Sequence, residues 1–168
     1  MATRDILKNL TLWADAKGLA GKIRNINLPK LTQKTEQFQG GGMFGEATIT
    51  LGLQALTTDF ELIDYDPDVL AMFGFTEGST NSLTVRGYLE DQAANVTPVI
   101  VNMRGKVTEQ DPGTWTPGET SSLRSTMALN YYKLTHGGKV IHEIDVENMI
   151  AVINGTDVLA AARSALGL

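Results

Sequence analysis

The chain has no cysteine, and only two histidines and two tryptophans. Without thiols it can hold no disulfide framework, no thiolate metal site and no cysteine nucleophile. No stretch reaches 18 apolar residues, and the opening MATRDILKNLTLWADA lacks the apolar run of a secretory signal. A soluble product of the cytoplasm is expected. Proline is sparse, at five in 168 residues, the hydrophobic fraction is 42% and the mean hydropathy is -0.07. Those values exclude a disordered or collagen-like chain. The length fits one domain, residues 1–168, large enough to bury roughly 70% of its unfolded surface around a core that needs no staples.

Positive charge is missing from one long stretch. From Thr35 to Val85 there is no Lys or Arg, but there are Glu36, Glu46, Asp59, Glu61, Asp64, Asp66, Asp68 and Glu77. Residues 1–34 carry the opposite bias: Arg4, Lys8, Lys17, Lys22, Arg24, Lys30 and Lys34 against Asp5 and Asp15. The net charge of -5 argues against a general nucleic-acid binder, which needs a basic face. Segregated charge also suits a molecule with one acidic and one basic surface, as self-assembling proteins often have.

Strict alternation dominates the middle of the chain. Ala47, Ile49, Leu51 and Leu53 oppose Glu46, Thr48, Thr50 and Gly52. Thr58, Phe60 and Leu62 oppose Thr57, Asp59 and Glu61. Leu83, Val85 and Leu89 form one face over 82–90, as do Val99, Val101, Met103 and Val107 over 97–107. Over 121–134, Leu123, Met127, Leu129 and Tyr131 oppose Arg124, Thr126, Asn130 and Tyr132. Each segment predicts a strand with one buried and one exposed face, so the fold is mainly β and antiparallel. Gly137-Gly138 predicts a hairpin turn, and the prolines and glycines of 111–118 a loop between two long strands. Asp66 followed by Pro67 predicts the start of a short helix, about 66–74, stopped by Gly74. Thr156-Asp157 predicts the cap of a C-terminal helix, about 156–166, stopped by Gly167.

Residues 31–37 look strand-like but almost lack an apolar face, and QGGGMFGE follows. Pairing 31–37 with 46–53 makes a hairpin whose projecting tip, about 38–46, holds Gly40, Gly41, Gly42, Met43 and Phe44. Two large apolar residues there either fold back on their own domain or dock on another subunit. Gly40–Gly45 matches G-x-G-x-x-G in form only, because a dinucleotide site needs an apolar strand before it and a helix after it. His136 and His142 lack ligand spacing. Ser121, Ser122 and Ser125 lack a nucleophile-elbow setting. Glu143, Asp145 and Glu147 share a strand face without a visible cleft. No enzyme, metal or cofactor is expected.

The segments LPKLTQKTEQFQGGGM (28–43) and YYKLTHGGKVIHEIDVENMIAVING (131–155), with the terminal LGL, resemble the major tail tube proteins of contractile-tailed phages and the related tubes of R-type pyocins. The likeness runs from about residue 9 to 168. It implies an antiparallel β-sandwich or half-open barrel whose hexameric rings stack into the inner tube of a contractile tail, a virion part assembled in the host cytoplasm. The implied partners are further copies of the chain, the tail sheath, baseplate, tail-terminator and tape measure proteins, and DNA passing without specific binding. The resemblance makes Gly40–Phe44 the inter-ring tip. Glu46, Thr48, Thr50, Asp59 and Glu61 become candidates for the lumen wall, or for subunit joints with Lys22, Arg24 or Lys30. Asp64, Asp66 and Asp68 become candidates for the sheath-facing side, or a plainly capped helix. The basic N-terminal and acidic middle segments would then face each other between subunits. The alternative is a soluble β-sandwich binding module.

Overall fold

A computed structural model describes residues 5–74 and 76–168; Arg4, at the basic end of the chain, lies outside them. Among the described residues the order is β1 (Ile6–Ala14), β2 (Lys17–Gly18), β3 (Ile23–Asn27), β4 (Gln33–Phe38), β5 (Ala47–Leu53), β6 (Leu56–Leu62), α1 (Pro67–Ala71), β7 (Asn81–Glu90), β8 (Val96–Asp111), β9 (Leu123–His136), β10 (Lys139–Asp145), β11 (Ile150–Ile153), β12 (Thr156–Asp157) and α2 (Ala160–Leu166). The main sheet runs β12-β11-β10-β9-β8-β7-β1-β2, and every pair along it is antiparallel.

The sheet forks at β9. One edge of β9 follows β8, while the other is shared: residues 131–136 pair with β10 and residues 123–129 with β6. β6 carries β3 on its far side, and this pair supplies a second layer. Phe60 and Leu62 of β6 lie in one buried cluster with Leu12, Leu83, Met103 and Met127 from the main sheet. Burying each such side chain contributes about 1.5–3 kcal/mol. The sheets do not close into a barrel.

Alternation places the core correctly along β6, β7 and most of β8. On β9 it fails after Leu129. Pairing steps from Gly105↔Leu129 to Arg104↔Tyr131, so Asn130 is an extra residue that reverses the faces beyond it. Tyr132 is therefore buried, while Tyr131 turns outward, bonds the Glu143 carboxylate through its hydroxyl at 2.9 Å and carries the Arg104 guanidinium 4.4 Å above its ring. At Gly105 the two backbones nearly touch: a Cβ there would sit 1.9 Å from the Ala128 carbonyl oxygen. Gly137 and Gly138, at φ of 56° and 82°, form the tight β9–β10 turn.

Both helices are shorter than sequence spacing predicts. α1 ends at Ala71, because Phe73 bridges to Val107 and the Gly74 amide bonds the Val107 carbonyl. α2 begins only at Ala160, with Leu159 at its N-cap and no capping side chain. Thr156 and Asp157 instead pair with β11, and the Asp157 carboxylate accepts from the Leu159 amide and the Arg163 guanidinium. Gly167, at φ 74°, closes α2 as expected.

Candidate functional site

β4 and β5 pair only with each other and leave the domain as an arm. Every residue of both strands is exposed, which corrects the expectation that 46–53 buries one face on its own core. Alternation cannot tell a core-facing strand from one whose apolar face awaits another molecule. The register puts Phe38 opposite Ala47 and Glu36 opposite Ile49 on one face, and Thr35 opposite Thr50 and Gln37 opposite Thr48 on the other. Leu51 is the residue the register skips, and with Phe38, Ile49 and Leu53 it is open to solvent. One face thus carries Phe38, Ala47 and Ile49 beside Lys34 and Glu36, and the other carries Gln33, Thr35, Gln37, Thr48 and Thr50 with Leu53 at its base.

The tip is an ordered turn. The Met43 amide donates to the Gly40 carbonyl at 3.2 Å, and the Gln39 side chain donates to the Met43 carbonyl at 3.3 Å. The Gly40 amide meets the Met43 sulfur, and the Phe38 ring lies so near Gly40 that a Cβ would be 3.3 Å from it. Met43 is folded onto the turn itself, whereas Phe44 is wholly exposed. Neither residue is buried in its own domain.

Of the other lumen candidates, Glu46 stands exposed at the arm's tip end, and Asp59 and Glu61 lie on the face of β6 turned away from Phe60. Asp59 accepts from the Asn27 amide at 2.8 Å. Glu61 accepts from Arg24 at 2.8 Å and Asn25 at 3.0 Å, with Arg124 at 3.9 Å. The Ser122 hydroxyl, Asn25 and Arg24 together hold its carboxyl below the usual carboxylate range.

The acidic residues before and within α1 are gathered by two lysines. Asp66 is only 1% exposed; it accepts from Lys22 at 2.8 Å and Lys17 at 3.1 Å, and its oxygen caps the Asp68 amide at 3.0 Å. Lys22 also reaches Asp64 at 3.0 Å, and Lys17 bonds Asp68. Lys22, then Lys17 and the Asp68 amide, depress the Asp66 pKa far below its ordinary value. The basic N-terminal and acidic middle segments, expected to meet between subunits, therefore meet inside one chain. Asp64 and Asp68 keep exposed surface, at 44% and 68%.

One surface feature escaped sequence reasoning. Trp115 is 73% exposed in the loop between β8 and β9, with its ring 5.4 Å from that of Tyr65. Its only signal was a tryptophan standing alone between Pro112 and Pro117.

The family model for phage tail tube protein FII matches residues 4–167. The tail tube protein of Escherichia phage P2 is 32% identical over 173 residues, covering 100% of both chains. The major tail tube protein of Serratia phage KSP20 is 33% identical over 171 residues, covering 100% of this chain and 99% of its own. Among solved structures, a chain from the sheath-tube complex of an extracellular contractile injection system (PVC, extended state) aligns with a TM-score of 0.59 at 8% identity. That alignment covers 79% of this chain and 91% of the other, a likeness of fold.

Proposed function

This chain belongs to the phage tail tube protein FII family, and from that premise we propose that six copies close into a ring and that rings stack into the inner tube of a contractile phage tail or phage-tail-like particle. The tube is the conduit for DNA delivery or membrane puncture. The observation that carries this reading is the arm: two strands whose Phe38, Ile49, Leu51 and Leu53 stand exposed, with no covering layer among the described residues. An uncovered sheet face and free strand edges invite association, and ring closure covers both. Stacking is a head-to-tail contact, which propagates as a filament instead of closing.

In this arrangement Gly40–Phe44 is the inter-ring tip. Glu46, Thr48, Thr50, Asp59 and Glu61 line the lumen, where acidic or neutral groups let DNA or the tape measure protein pass without being held. Asp64 and Asp68 face the sheath, and Asp66 holds the lysines that frame them. Terminator and baseplate proteins complete the two ends, and assembly takes place in the host cytoplasm.

Negative-stain microscopy of the purified full chain tests the reading. Six-fold rings or hollow rods are expected; a particle that stays monomeric or dimeric at all concentrations would favour a soluble β-sandwich binding module.

A further inference from the structure

If the tip crosses a ring boundary, it needs a receptor at the opposite end of the next subunit. β6 runs from the arm's root to one such end. The arm is rooted beside Leu56, whereas Leu62, at the far end of β6, pairs with Leu123 where the loop from β8 enters β9. The strand is seven residues long, roughly 20 Å from end to end at the usual rise.

That far end holds an aromatic hollow of about 390 Å³, lined by Tyr65, Trp115, Thr116, Pro117 and Ser121. The rings of Tyr65 and Trp115 are tilted by 55°, and the Tyr65 hydroxyl donates to the Pro112 carbonyl, which ties the loop to the segment before α1. A tilted aromatic pair with an open apolar floor offers edge and face contacts to a third ring. Phe44 is a ring of that kind with no contact of its own to lose.

One charged group beside the hollow also matters. The Arg124 side chain is 54% exposed and lies 3.9 Å from Glu61, whose closer partner is Arg24 at 2.8 Å, so Arg124 keeps a side open to a second carboxylate. Asp111 lies at the same rim, its carboxylate engaged by the Gly113 amide. On the arm, Glu36 and Glu46 make no ion pair among the described residues.

We propose that Phe44 at the arm tip of one subunit packs against the Tyr65–Trp115 pair of a second copy in the adjacent ring, with Glu46 turned toward Arg124. The inference rests on the tube reading and adds its ring-to-ring receptor.

The absence of cysteine makes the test clean. Full-length Phe44→Cys/Thr116→Cys protein is assembled, oxidised mildly and run on a non-reducing gel beside each single variant. Each subunit would offer one tip and one receptor, so the double variant should give a ladder of disulfide-linked species running past the dimer, and neither single variant should. Tubes that form without a ladder would overturn the receptor while leaving the tube reading intact. A wild-type chain that forms neither rings nor tubes would instead remove the tube reading beneath it. Should the cysteine pair block assembly, opposite charges decide. Phe44→Glu and Trp115→Lys alone should each abolish long tubes, and their combination should restore them. Failure to restore, with both proteins folded by circular dichroism, also overturns the proposal.

Discussion

A carboxylate buried as deeply as Asp66 stays ionised only because two ammonium groups and a backbone amide replace its lost water. Its pKa lies below the unfolded value of about 4. The paired form therefore adds stability above pH ~4, and that stability is lost as pH falls toward the folded value. Asp157 and Asp145, whose pKa values are also lowered, act with the same sign. Two substitutions separate the roles of Asp66. Asp66→Ala removes the cap and the ion pairs, and the cap alone is worth about 0.5–2 kcal/mol. Asp66→Asn keeps a capping oxygen and loses only the charge. Thermal melts from pH 7 to pH 2 should show the wild-type advantage over Asp66→Asn shrinking as acid is added. A gap that stays constant with pH would mean that the lysines contribute nothing through Asp66.

Elements in this fold are set by where strands come close, and Gly105 marks the tightest approach. Gly105→Ala forces a methyl group into the Ala128 carbonyl at the β8–β9 bulge. We expect a loss of several kcal/mol, comparable with overpacking a core, read as a drop in urea midpoint; an unchanged midpoint would show that the bulge relaxes freely. This position also shows what the sequence could reveal. Alternation placed Phe60, Leu83 and Met103 in the core because period two holds wherever pairing is regular. It mistook Tyr131 for Tyr132 because one extra residue, Asn130, leaves no mark of its own in composition. It gave Leu51 and Ile49 to a core they do not have, since a strand that buries its face on another subunit has the same pattern as one that buries it at home. The hairpin and its tip were legible from three consecutive glycines; the Tyr65–Trp115 hollow was not, because 50 residues of sequence separate its two rings. The tip itself can be tested apart from any receptor. Met43→Asp with Phe44→Asp should leave the subunit folded, as Phe44 supports nothing in its own chain. Stacking should be lost, because burying unpaired charge costs several kcal/mol per contact. Long tubes from this variant would show that the arm tip is not the inter-ring element.

At the scale of the whole molecule, ion pairing within the chain changes what the net charge of -5 means. Lys17, Lys22 and Arg24 are occupied by Asp64, Asp66, Asp68 and Glu61, so the acids left for outside partners are fewer than the sequence suggests. On the proposed sheath-facing side, Asp64 and Asp68 keep exposed surface, each shared with a lysine of its own chain. Asp64→Asn with Asp68→Asn, which places no new cation beside Lys22 and Lys17, should lower co-assembly with sheath protein while tubes still form, and undiminished co-assembly would count against that side. For the lumen, Glu61 is a poor probe, since Glu61→Lys would strand Arg24 beside another cation. Asp59 is a better one: among the described residues its carboxylate is held by a neutral amide, Asn27 at 2.8 Å, and it sits on the face of β6 turned away from the core. Asp59→Lys should fold and assemble. Each ring would then repeat the new cation around the channel, and phosphate contacts would add up with a steep salt dependence. DNA should be retained at low salt and released as salt rises, measured by fluorescence of labelled oligonucleotide in purified tubes. Tubes that assemble and show no salt-dependent retention would move Asp59 off the wall. Loss of assembly, rescued by Lys30→Glu in the same chain, would place Asp59 at a joint between subunits instead.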